Sequence, residues 1–143
     1  MLPVYDQEIL PLRSIVFAAA LVALSPFAAI AQDPPPGVVE NGQRLFNTCR
    51  VCHTPNEGGR NGIGPNLYRV NDRPAASIEG FRYSAPMRAK AAEGLVWNDA
   101  NLRAYLIDPK ALVPGGSMAF AGYKDNSQNI SDVIAYLRSV GGR

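Results

Sequence analysis

Cys49, Cys52 and His53 fall within the five-residue stretch "CRVCH", and the 143-residue chain has no other cysteine or histidine. Three chemistries use such side chains. A structural zinc site needs four ligands, so a carboxylate would have to complete it here. A Cys-x-x-Cys redox disulfide belongs at a helix start after a strand in a βαβ unit. No such pattern precedes Cys49, and His53 would be left without a role. The third chemistry is covalent haem of the c type, for which Cys-x-x-Cys-His is the attachment motif. Each thiol adds across one of two haem vinyl groups on neighbouring pyrroles. Cysteines three apart on a helical turn reach both, and the next residue brings its imidazole under the iron. The spacing favours this reading: one haem c per chain, held through Cys49 and Cys52, with His53 on the iron.

No second histidine is present for the opposite face of the iron. Beyond the apolar N-terminal stretch, the available thioethers are Met87 and Met118. Met/His ligation raises the reduction potential and suits electron transfer. Met87 lies in a predicted short helix with charged neighbours, where methionine ordinarily fills a core. Met118 lies in "VPGGSMAF", a Gly/Pro loop without helical period. The pattern favours Met118 as the sixth ligand, with Met87 as the alternative.

The elements that must position these residues begin after residue 31. "SIVFAAALVALSPFAAIAQ" (14–32) is apolar and alanine-rich, follows Arg13, and carries the small-x-small pattern Ala29-Ile30-Ala31. It reads as the apolar region and cleavage site of an export signal. A membrane anchor is the rival, but the run holds Ser25 and Pro26 and is shorter than the roughly 20 apolar residues of a spanning helix. The expected organisation is a cleaved signal peptide over 1–31, an extended leader over 32–37 and one domain over 38–143. Asp6 and Glu8 sit poorly in a positively charged leader, which points to a translation start nearer Leu10 or Leu12. Cleavage removes one base and two acids and takes the net charge from +2 to +3. That charge, with no run of five Lys/Arg, does not favour nucleic acid. With 47% hydrophobic and 18% charged residues, bulk disorder is excluded as well.

Consecutive prolines make "QDPPPG" extended. Val39, Gly42, Phe46 and Cys49 recur at helical steps and predict a first helix from about Val38 to the cysteines. Residues 54–82 read as an ordered loop. A short helix is expected over 84–94, closed by Gly94. Another is capped by Asn98 or Asp99, shows Leu102, Tyr105 and Leu106 on one face, and ends at Pro109. The last covers roughly 128–140, with Ile130, Val133, Ile134 and Leu137 in register. No strand pair or repeat stands out. Such short helices and long loops make a thin core, which a large apolar cofactor would complete.

The ordered set of features resembles the class I cytochromes c of the bacterial, mitochondrial-like kind, over nearly all of residues 38–140. It comprises Gly42 and Phe46, the Cys49 to His53 motif, "GIGPNL" (62–67), Tyr83 in "GFRYS", Trp97, "YLIDPK" with Tyr105, "VPGGSMAFAG" with Met118, and "DVIAYL" (132–137). The resemblance implies an all-α cytochrome c fold, three to five short helices with long ordered loops around one covalently bound haem. It implies that the Pro65 carbonyl accepts the His53 ring N–H, that Arg73, Tyr83 and Trp97 surround the haem propionates, and that Tyr105 lies near the Met118 sulfur. Gly42 and Phe46 would meet Tyr136 and Leu137 where the first and last helices cross. Three departures stand out. Gly116 replaces a usual threonine, Ser117 replaces a common lysine, and about three residues are inserted between Tyr83 and Trp97. The loss of the threonine hydroxyl predicts a more easily opened methionine loop.

The function expected is that of a soluble periplasmic electron carrier rather than an enzyme. Its partners would be redox proteins (a cytochrome complex, an oxidase or a dehydrogenase), met transiently, with no nucleic acid and no membrane span in the mature chain. Lys110 and Lys124 flank the methionine loop as candidate docking charges. The rival classes are a haem enzyme or gas sensor with a labile sixth ligand, and a haem subunit bound permanently to a larger oxidoreductase.

Overall fold

A computed structural model describes residues 33–142. Gln32–Arg143 forms one compact unit. The expected export signal and the alternative start lie outside the described residues. Among the described residues five α-helices follow in order: α1 Val39–Phe46, α2 Ala85–Ala92, α3 Asp99–Ile107, α4 Pro109–Leu112 and α5 Ser127–Val140. A single 3-10 turn, Cys49–Val51, continues from α1. Among the described residues there is no strand, and no helix is long and apolar enough to cross a membrane.

The α1/α5 crossing is the centre of the fold. Phe46 is 0% exposed and its ring lies 5.1 Å from that of Tyr136. Burying a phenylalanine in this way stabilises by up to about 3 kcal/mol. Gly42 is what lets the helices approach, because a Cβ there would fall 1.9 Å from the Asp132 carbonyl oxygen and 2.8 Å from the Tyr136 Cβ. Phe46, Tyr136 and Leu137, the meeting point that the family resemblance implied, share one core with Leu102, Leu106, Ile130, Val133 and Ile134. The start of α1 has no capping side chain of its own. Instead Val38 N–H donates to Asp132 Oδ1 at 2.7 Å, and Gln128 Nε2 donates to the same oxygen at 2.8 Å and to Pro36 O at 2.9 Å. A carboxylate on one helix thus satisfies a backbone donor that another leaves open.

The remaining helices have local start signals. Ser84 accepts from Met87 N–H and Asn98 from Asn101 N–H, as N-caps do. Pro109 behaves differently from expectation. Asp108 is extended (φ −155°, ψ 98°) and ends α3, but Pro109 then opens α4 as its first residue. Proline suits that place because its missing N–H is not needed there. Asp108 Oδ1 accepts from Lys110 N–H at 3.0 Å and Ala111 N–H at 3.3 Å.

The long loop over 54–82 is ordered by hydrogen bonds rather than period. Asn66 is its hub. Its Nδ2 donates to Thr54 O (3.1 Å), Thr54 Oγ1 (2.7 Å) and Asn56 O (2.9 Å), while its Oδ1 accepts from Tyr68 N–H (2.9 Å). One isolated antiparallel bridge, Pro74 with Val96, joins this loop to the segment before α3. Trp97 N–H donates to Arg73 O at 2.9 Å and Ala75 N–H to Leu95 O at 2.8 Å.

Candidate haem site

The attachment turn grows out of α1. Cys52 N–H and His53 N–H both donate to Cys49 O, at 3.0 and 2.9 Å, which sets the two thiols and the imidazole on one tight turn. Both thiols are free and half-buried. Burial pushes the Cys49 thiol above its ordinary pKa, and the neighbouring Cys52 adds to the shift. Gly64 N–H donates to Cys52 O at 2.9 Å and brings the "GIGPNL" segment against this turn. Gly64 must be glycine: a Cβ there would lie 2.2 Å from His53 Cε1.

His53 Nδ1 lies 2.7 Å from Pro65 O. A carbonyl can only accept, so Nδ1 carries the hydrogen and Nε2 presents its lone pair. That is the tautomer a metal-binding imidazole needs, with its orientation held by the carbonyl bond. Burial pushes the imidazole pKa below its ordinary value, and the Pro65 bond works the other way. The neutral, ligating form is thereby favoured.

Arg73, Tyr83, Trp97 and Tyr105 come together as two linked pairs. Arg73 donates to Tyr68 O (2.8 Å) and Asn66 O (3.1 Å). Burial pushes its pKa down, while Tyr83, close enough to interact through charge, pushes it up. Tyr83 Oη accepts from Ile78 N–H at 3.3 Å. The Trp97 and Tyr105 rings are 4.9 Å apart and tilted by 50°. Burial raises the Tyr105 phenol to about 12. Met87 packs against the core cluster, and Met118 stands half-buried in the loop after α4.

The donor set discriminates among the metal chemistries. Among the described residues no cluster of three His, Cys, Asp or Glu converges as a cation site, so Cys49, Cys52 and His53 do not form a zinc cage. Among the described residues no strand precedes Cys49, as a βαβ redox motif would need. What the residues do fit is a c-type haem. Two thiols and an oriented imidazole share one turn, and Leu67, Leu95, Leu112 and Phe120 pack against the core while remaining only partly covered.

The cytochrome c family profile matches residues 39–141. The chain belongs to the cytochrome c family. It is 39% identical over 127 residues to cytochrome c2 of Blastochloris viridis, covering 89% of this chain and 93% of that protein. It is 44% identical over 95 residues to cytochrome c2 iso-2 of Magnetospirillum fulvum (66% and 94%) and 40% over 101 residues to cytochrome c-550 of Nitrobacter winogradskyi (71% and 89%). As a cytochrome c, the chain carries covalent haem c through the Cys49/Cys52 motif and transfers electrons rather than catalysing bond chemistry.

Two features of this cytochrome c add to the sequence reading. Lys110 and Lys124 are engaged within the fold: Lys110 Nζ donates to Gly116 O, and Lys124 Nζ pairs with Asp108 Oδ2 at 2.7 Å. Both residues remain exposed while making these contacts to the methionine loop and to the start of α4. Asn66 was not assigned a site role, yet it holds the segment that carries Pro65. Its sequence signal was slight, an asparagine after proline inside the motif.

Proposed function

We propose that this cytochrome c is an exported carrier that shuttles single electrons between redox proteins, with His53 and Met118 as the axial ligands. When bound, haem c supplies a one-electron ferric/ferrous couple. The chain's own residues do the rest. Cys49 and Cys52 anchor it, Pro65 and Gly64 fix the His53 ring, and Met118 offers a soft thioether from a loop outside the packed core. Arg73, Tyr83 and Trp97 would hold the propionates, and Tyr105 would lie near the thioether. The observation that carries the reading is the His53 to Pro65 bond, which leaves a preset Nε2 donor beside two free thiols.

Docking is transient and largely apolar. Val51, inside the attachment turn, is 76% exposed, and Ile63, beside the Gly64 to Cys52 backbone bond, is 80% exposed. Such side chains at the attachment edge suit a small, quickly released interface. Residues 1–31 serve as the cleaved export signal, and the mature chain works in the periplasm, where c-type haem is attached. N-terminal sequencing of the purified protein is expected to start at Gln32.

The deciding experiment replaces each methionine. Met118→Ala should abolish the weak far-red sulfur-to-iron absorption of the ferric protein, lower the midpoint potential and open the ferrous protein to carbon monoxide. Met87→Ala should do none of these. Spectral changes that follow Met87, or fast carbon monoxide binding by the unaltered protein, would defeat the assignment.

A further inference from the structure

The loop over 113–122 is fastened by hydrogen bonds at its two ends. At the start, Gly116 N–H donates to Val113 O at 3.0 Å and Gly116 O accepts from Lys110 Nζ. At the far end, Tyr123 N–H and Lys124 N–H donate to Leu106 O (2.7 Å) and Ile107 O (3.1 Å), and Lys124 Nζ reaches Asp108. Gly122 (φ +91°) permits that clasp, since a Cβ there would lie 2.0 Å from Ile107 O. Residues 117–121 make no backbone hydrogen bond to any described residue. Met118 therefore sits on a span without backbone hydrogen bonds to described residues, before Phe120 packs against the core and two residues beyond the carbonyl that Lys110 reaches.

We propose that Lys110 is a positioning residue of this cytochrome: its side chain latches the Gly116 carbonyl and so restrains the Met118 thioether against release. The inference rests on the Met118 reading above. A buried glycine offers no hydroxyl to hold the loop, and Lys110, six residues earlier on α4, supplies the missing donor from outside. The far clasp uses two backbone bonds and an ion pair, so the Lys110 side is where the loop opens first.

The test uses ferric holoprotein and imidazole as an external ligand, with the limiting binding rate at high imidazole reporting loop opening. Lys110→Ala should raise that rate about tenfold, the scale set by one partly exposed hydrogen bond from a charged donor, and weaken the far-red band. Lys110→Arg, which keeps a donor at similar reach, should restore most of both. Lys90→Ala, removing a partly exposed lysine on α2 that pairs with Glu93, should match the unaltered protein. An unchanged rate in Lys110→Ala, an equal rise in Lys90→Ala, or no rescue by arginine would overturn the latch. The two readings fail separately. A ferric protein without the far-red band defeats the Met118 assignment, whereas a normal band with an unchanged Lys110→Ala rate defeats only the latch.

Discussion

Gly64→Ala isolates the support of the proximal imidazole. The new carbon would stand 2.2 Å from His53 Cε1, 2.6 Å from Nδ1 and 2.7 Å from Nε2. Ordinary contact begins at 3.4 Å, so ring and backbone must separate by roughly 1.2 Å at the closest atom. Neither side can yield freely. His53 N–H is bonded to Cys49 O at 2.9 Å, Gly64 N–H to Cys52 O at 2.9 Å, and the ring to Pro65 O at 2.7 Å. Overpacking strain of about 1–3 kcal/mol plus one lost hydrogen bond of about 1 kcal/mol predicts a loss of about 2–4 kcal/mol. At about 4 °C per kcal/mol for a domain of this size, the Tm falls by roughly 10 °C. The assay is guanidinium and thermal unfolding of ferric holoprotein, with the visible spectrum reporting the ring. Gly58→Ala is the comparison, because nothing lies within 4 Å of its Cβ position and only its φ of +64° opposes a side chain, a cost of about 1 kcal/mol. A Gly64→Ala protein as stable as Gly58→Ala, with an unaltered spectrum, would refute the steric argument.

Gly42→Ala should cost about 3 kcal/mol or more, since its clash is with Asp132 backbone; denaturant unfolding checks this, and a loss under 0.5 kcal/mol would contradict the crossing geometry. Arg73→Leu should remove two hydrogen bonds to backbone carbonyls, destabilise by about 2–3 kcal/mol and lower the midpoint potential by taking a cation from the propionate side. A potential unmoved beyond error counts against its place beside the cofactor. Tyr105 is neutral in the fold up to about 12, against an ordinary phenol near 10. Its contribution is thus fully present below pH about 10 and is lost as pH rises toward 12. Tyr105→Phe should make the alkaline fall in Tm over that window shallower, and an identical pH profile would exclude the effect.

What sequence alone determined here is what depends on short-range spacing. Cys49, Cys52 and His53 announce their chemistry because a thioether pair and an axial imidazole must share one turn. Asn98 announces a helix start because caps act locally, whereas the crossing at Gly42 was implied only by the family resemblance. Pro109 was read only in part: proline predicts a helix boundary, but whether one helix merely ends or another also begins depends on Asp108 turning back to cap the next N–H groups. Tertiary structure decided the rest. That Asp132 satisfies Val38 N–H, that Asn66 gathers three acceptors, and that Lys110 and Lys124 reach Gly116 and Asp108 across the surface all require partners brought together by the fold. Hydrogen bonds of that kind leave no period in a sequence, because a lone asparagine or lysine has the same identity whether it faces water or a distant carbonyl.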